Sequence, residues 1–380
     1  MDAGRALAAP GRRGAVRRGG LRRPLRGRGG QARGLRPRRL PLGDRGGVAQ
    51  AADLVHAGGA GHPLGYHRRA VNEFEVIARI SESLPQKPAE VVHPIGDDCA
   101  VLRLGEKLWV AAADMLVAGH HFRSWAEPEE VGYKAVAVNV SDVAAMGALP
   151  RFVLVSGGAA DSGTALRCFR GVLEACAAFG VYPLGGDTTR ADHLTVDVAI
   201  LGELEGGPVL RSGARPGDAL AVTGELGASA AGFLALEGGA REPERLVRKH
   251  LRPEPRVETG LEAARLGVHA MIDLSDGLAS DARHVCEQSG TGCRIDLDRL
   301  PVAADTREFL LSRGSEPERL AATAGEDYEL LIAAPRKTLE ELAARTDPPL
   351  TVIGEITEGG IEFLRGAERA EPLSGWDHFG

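Results

Sequence analysis

From Asn72 onward the chain is organised by a regular spacing of apolar and polar positions whose period changes from segment to segment. Phe74, Ile77 and Ala78 share one face of a helix predicted over 73–83, with Leu84 at its end. Apolar runs at 100–104 and 108–113 flank Gly105-Glu106 and predict two strands joined by a turn. Residues 129–147 are rich in Ala and Val all round, which predicts a helix buried between layers. A strand over 151–155, a helix over 162–179 and a strand over 194–204 follow. Beyond the turn-rich run 211–218 come a strand (219–222), helices (from about 228, 242–250 and 256–266), a strand (271–274) and a helix (276–288). Strands at 328–333 and 350–353 enclose a helix at 337–344. Strands and helices alternate in both halves, so the fold class is α/β, or α+β, in two domains: 71–206 and 207–380.

Residues 1–70 break this pattern. They hold 16 Arg against three Asp, with no Lys, Glu, Ser, Thr, Ile or Phe. Such a segment buries little and is expected to be disordered. A basic arm or a transit peptide would share the Arg content, but a transit peptide is also Ser-rich. The abrupt onset of order at Val71-Asn72-Glu73-Phe74 favours an upstream stretch translated from an early start codon, Val71 being what a GTG start would read as internally.

The net charge of −6 therefore places a strongly acidic body behind a basic leader. An acidic body disfavours nucleic acid as a partner. No apolar run approaches the roughly 20 residues of a membrane span. The five cysteines, Cys99, Cys168, Cys176, Cys286 and Cys293, form no C-x-x-C pair, which fits small buried residues in a reducing cytoplasm.

The candidate chemistry lies in six short acidic motifs: Gly96-Asp97-Asp98, Ala113-Asp114-Met115, Asn139-Val140-Ser141-Asp142, Gly185-Gly186-Asp187-Thr188-Thr189, Asp273-Leu274-Ser275-Asp276-Gly277 and Gly325-Glu326-Asp327-Tyr328. Taken singly, each has an ordinary structural explanation. Asp98 and Asp187 suit turns, Asp276 suits a helix cap, and Asp142 on a buried helix, sharing a face with Asn139, suits a salt bridge with an Arg. Asp114 and Asp273 are expected to end strands. What they share is position, because α/β folds place ligands at strand ends and helix starts. Carboxylates gathered from distant segments repel one another unless cations neutralise them, and hard oxygen ligands suit Mg²⁺ with phosphates. Residues 223–229 resemble a phosphate-cradling loop before a helix, without a Walker A or a dinucleotide fingerprint. His120-His121 lacks the partners of a zinc site, and Trp376 could pack or stack on a flat ligand. No Ser-His-Asp or Cys-His arrangement is present.

In order along the chain, these motifs resemble the thiamine-monophosphate kinase family of the aminoimidazole-ribonucleotide-synthetase-like superfamily. The resemblance is carried by Gly96-Asp-Asp-Cys-Ala-Val101, 114–122, 133–148, Gly185-Gly-Asp-Thr-Thr-Arg190, 211–218, His250-Leu-Arg-Pro253, 272–278, Gly325-Glu-Asp-Tyr-Glu-Leu330 and Asp377-His-Phe379. It covers essentially all of 72–380 and none of 1–70. It implies a two-domain protein that dimerises through its N-terminal domains as a barrel, with the active site between the domains. ATP and several Mg²⁺ ions are implied, with thiamine monophosphate as phosphoryl acceptor. The family's metal ligands fall on Asp98, Asp114, Asp142, Asp187, Asp273 and Asp276, its ATP contacts on Arg211 and Ser275, and its substrate contacts on His121, Glu326 and Trp376. No strong general base is implied, because the acceptor phosphate is already ionised near neutral pH, with a second pKa of about 6.

Two departures stand out. Where the family usually has Ser/Thr-Thr before its Asp, this chain has Ala112-Ala113, and Ala228 replaces an Asp in the glycine loop. Two alternatives therefore stay open: another ATP-dependent enzyme of the superfamily, or a non-catalytic nucleotide-binding homologue.

Overall fold

The computed structural model describes residues 73–366 and 368–375. The expectations for residues 1–70 and for Trp376 lie outside the described residues.

The described residues form two seven-stranded sheets with helices packed on them. The first sheet is built from β1 (Val91–His93), β2 (Ala100–Leu104), β3 (Lys107–Val117), β4 (Leu149–Ala159), β5 (Tyr182–Gly185), β6 (Thr188–Arg190) and β7 (Thr195–Leu204). Its order is β1-β2-β3-β7-β4-β5, with β6 also pairing with β4. Helices α2 (Pro128–Ala145) and α3 (Ser162–Phe179) pack in this half, and α1 (Glu73–Glu82) precedes β1 along the chain.

The second sheet has β8 (Ala219–Thr223), β9 (Ala270–Asp273), β10 (Gly292–Asp296), β11 (Leu330–Ala334), β12 (Leu350–Thr357), β13 (Ile361–Arg365) and β14 (Glu368–Arg369), in the order β14-β13-β10-β12-β8-β11-β9. Its helices are α4 (Ala228–Glu237), α5 (Glu244–Leu251), α6 (Val257–Leu266), α7 (Leu278–Ser289), α8 (Ala304–Ser312), α9 (Pro317–Thr323) and α10 (Arg336–Ala343). Strands β8 and β11 are buried at every residue, as a strand covered on both faces requires.

Helix α2 joins the halves. Pro128 opens it, where the missing N–H costs nothing, and Glu127 and Glu130 close a capping box. Its Ala-Val body packs on the first sheet, on α3, on α6 and on β9. The crossing with α3 is close: a Cβ at Gly132 would stand 2.0 Å from the Cys168 carbonyl oxygen, and one at Gly171 would stand 1.8 Å from that of Glu129. Only glycine permits that approach.

The structure moves one strand end and one helix start from where they were expected. β3 continues through Asp114 to Val117, so Asp114 lies inside a strand rather than at its end. α7 starts at Leu278 with Gly277 as its N-cap, so Asp276 precedes the helix instead of opening it. The chain turns there through Gly277 at φ 103°, a left-handed conformation suited to glycine.

Candidate active site

Three buried or half-buried carboxylates meet where the halves adjoin. Asp98 leaves the loop before β2, Asp142 sits in the last turns of α2, and Asp273 ends β9. Carboxylate oxygens of all three lie within 4.8 Å of one another. Asp273 is held by the Ser141 hydroxyl, which donates to its Oδ2 at 2.7 Å. Arg211 supplies the opposing charge: its Nε donates to Asp98 Oδ1 at 3.2 Å, with a shorter contact from Nη2, and its backbone N–H donates to Asp97 Oδ2 at 3.1 Å.

One guanidinium does not balance this group. Burial pushes Asp142 and Asp273 far above the carboxylate range, mutual repulsion adds to the rise, and Arg211 opposes it. Burial likewise raises Asp98, against Arg211, and lifts Asp97 to about 7. Asp98 Oδ2 is buried with no hydrogen-bond partner. Hard oxygen donors in excess over their counter-charge, one of them unsatisfied, fit a divalent cation such as Mg²⁺.

The other expected ligands do not join that close group. Asp114 is exposed on β3, its backbone N–H donating to Asn139 Oδ1 at 3.1 Å, and its charge bears on Asp142. Asp187 is exposed between β5 and β6, and its Oδ1 accepts from the Thr188 N–H at 2.9 Å, a local turn bond. It also lines a cavity of about 350 Å³ with Val155, Leu166, Phe169, Gly186 and Thr188. The charge of Asp276 acts on Asp281, a buried acid of α7 whose Oδ2 has no hydrogen-bond partner. Asp281 has no place among the sequence motifs, since an Asp in a first helical turn looks like an ordinary helix-start acid.

A second polar group lies around Glu326. The loop bearing it is laced to the β9–α7 loop: Glu326 N–H donates to the Ser275 carbonyl at 2.8 Å, and Tyr328 N–H to that of Leu274 at 2.9 Å. Glu326 holds a left-handed φ of 66°, uncommon for a residue with a Cβ. Its Oε1 is 2.8 Å from Lys134 Nζ, and its Oε2 is 3.4 Å from His250 Nδ1. Burial works against ionising Glu326, but Lys134 above all, then His250, hold it below the usual carboxylate range. His121 Nδ1 accepts from Val117 N–H at 3.1 Å, which places the ring proton of its neutral form on Nε2.

The loop at 223–229 proves not to be an open phosphate cradle. The first N–H groups of α4 are already engaged, because Gly227 and Ser229 donate to Asp327 at 2.8 and 3.3 Å. Ala228 is fully buried beside Ala231, Leu246 and Leu310. The five cysteines are buried and unbridged. Among the described residues, no helix is long and apolar enough to cross a membrane.

Comparison with known proteins decides the family. Residues 96–204 match the AIR synthase related protein N-terminal domain, and 215–366 match its C-terminal domain. A thiamine-monophosphate kinase of Escherichia coli K12 is 40% identical over 328 residues, covering 82% of this chain and 99% of the relative. That of Mycobacterium tuberculosis H37Rv is 37% identical over 319 residues, covering 82% and 92%. The chain belongs to the thiamine-monophosphate kinase family. A solved structure of AaThiL complexed with AMPPCP and TMP superposes with a TM-score of 0.72 at 33% identity, over 81% of this chain and 97% of that one. A thiamine monophosphate kinase from Stenotrophomonas maltophilia K279a gives a TM-score of 0.64 at 34% identity, over 77% and 96%. Asp98 and Asp142 fall in the first matched span, Asp273 in the second and Arg211 between them. The close carboxylate group therefore draws on both spans.

Proposed function

We infer that this chain transfers the γ-phosphoryl group of ATP to thiamine monophosphate, giving thiamine diphosphate. The observation that carries the reading is the meeting of Asp98, Asp142 and Asp273 within 4.8 Å, with Arg211 as partial counter-charge. Membership of the family and the relative solved with AMPPCP and TMP support it.

In this reading Asp98, Asp142 and Asp273 would together hold one Mg²⁺, and Asp114, Asp187 and Asp276, outside that close group, would serve further Mg²⁺ ions. Bound Mg²⁺ supplies positive charge between donor and acceptor phosphates. The protein's own part is positioning. Ser141 orients Asp273, and Asn139 fixes the backbone at Asp114. Arg211 and Ser275 contact ATP, Arg211 adding a charge that stays fixed at every working pH. The cavity beside Asp187 has the size and apolar lining of a small-ligand pocket and suits the base of the nucleotide. His121, Glu326 and Trp376 contact thiamine monophosphate, whose phosphate needs no residue to deprotonate it.

The domains are read as 71–206 and 207–380, and the working form as a cytoplasmic homodimer. Exposed Leu154, Tyr182 and Leu184 on β4 and β5, and Leu173 on α3, support a partner on this half. Light scattering on the purified protein checks that assembly.

The direct test is incubation with ATP, Mg²⁺ and thiamine monophosphate, following thiamine diphosphate by chromatography. Product formation that requires all three components is expected. ATP binding without product would leave a nucleotide-binding protein in place of an enzyme.

A further inference from the structure

Lys134 sits within the Ala-Val body of α2 and is only 3% exposed. A buried ammonium is costly unless it is paired, and its pair lies on the other half of the molecule. The partner is Glu326, 2.8 Å away, itself held in an uncommon backbone conformation by the lacing of its loop to Ser275 and Leu274. On the other side of the same carboxylate stands His250, which also contacts the Ser229 hydroxyl at 3.1 Å and is only 2% exposed. The Glu326 side chain is 30% exposed, whereas that of Lys134 is 4% exposed. Glu326 is thus the member of the pair that a ligand can reach, and Lys134 is the member that fixes it.

We propose that Lys134 is a positioning residue for thiamine monophosphate, acting through Glu326 by fixing one carboxylate oxygen from the opposite half. This deepens the reading above and rests on the assignment of Glu326 as a substrate contact. A carboxylate ion-paired with a buried ammonium loses freedom before the substrate arrives, so less order has to be imposed on binding. A residue that only stabilised the fold would not act selectively on one substrate.

The test is a double-mutant cycle in the full-length protein with Lys134→Met and Glu326→Gln, measuring KM for thiamine monophosphate, KM for ATP and kcat. Lys134→Met is expected to raise KM for thiamine monophosphate about tenfold, the equivalent of about 1.4 kcal/mol for a lost charge contact, while KM for ATP stays within about twofold. In the Glu326→Gln background, Lys134→Met should add nothing further. An unchanged KM for thiamine monophosphate in Lys134→Met, or effects of the two substitutions that multiply, overturns the proposal. An unchanged KM in Glu326→Gln alone removes Glu326 from the substrate contacts and the proposal with it. Should Lys134→Met fail to fold, Lys134→Gln carries the same comparison. The double variant, with neither charge left buried, then gives the Glu326→Gln comparison.

Discussion

The Ser141 hydroxyl donates to Asp273 Oδ2 across 2.7 Å, and both residues are almost wholly buried. Ser141 rides on α2 against the first sheet, and Asp273 ends β9 of the second. One short bond therefore joins the halves at the point where the carboxylates gather, and it offsets part of the burial that raises Asp273.

Replacing Ser141 with Ala should accordingly act twice. A buried bond to an ionisable group contributes about 1.5–3 kcal/mol, so urea unfolding should show a loss of that order. Asp273 would also ionise less readily, so Mg²⁺ affinity read by titration should fall. Unfolding curves that coincide with those of the parent would remove the bond from the account.

Asp142→Asn separates charge repulsion from metal binding. Without divalent cations the parent keeps several repelling carboxylates together, and the variant has one fewer. In EDTA the variant should therefore melt higher than the parent. Added Mg²⁺ should raise the parent's melting temperature, because it binds the folded form, and should raise the variant's less. Turnover should fall by about 100-fold or more, the scale of losing a major electrostatic contribution. Equal stabilisation of both proteins by Mg²⁺ would take Asp142 out of the metal set.

His250 provides a pH signature. Burial, with Lys134 adding to it and Glu326 opposing, holds its pKa at about 3 instead of 6.5. Between those values the unfolded chain binds a proton here that the folded chain does not. Stability therefore rises with pH through this window and is lost as pH falls from about 6.5 toward 3. Removing the imidazole in His250→Gln should flatten the drop in melting temperature between pH 6.5 and 4. A slope as steep as the parent's would mean that other groups dominate the acid lability.

The sequence made the long elements legible where apolar spacing was strong: α3 spans the expected 162–179, and β7 begins one residue late. It could not mark β6, whose Thr188, Thr189 and Arg190 are all exposed and carry no apolar alternation. The strands β1, β5, β10, β13 and β14 and the helices α8 and α9 also went unread, being short or weakly patterned. Asp142 was legible because a carboxylate within an Ala-Val helix demands a partner. The same demand applies to Lys134 on that helix, but its partner Glu326 is distant in sequence, and no local pattern encodes the pairing. The spacing of Asp276 also permits a helix cap and a helix start at that residue; the left-handed turn at Gly277 displaces the start beyond it.

Asp327 explains how α4 tolerates Ala228. That helix has no side-chain cap of its own, and Asp327 reaches in from the loop before β11 to accept from Gly227 and Ser229. It therefore does the work of an N-cap from a distant segment, and it ties the Glu326 loop to α4. Asp327→Ala should cost about 0.5–2 kcal/mol, the range for a lost N-cap, seen as an earlier denaturant midpoint with an unchanged slope. Because Glu326 is adjacent, the same variant should raise KM for thiamine monophosphate more than KM for ATP. Asp327→Asn, which keeps one accepting oxygen, should fall between the parent and Asp327→Ala in both measurements. If Asp327→Ala unfolds at the parent's midpoint, α4 is held by its packing against α5, α8 and α9, and the tie between the two loops contributes nothing.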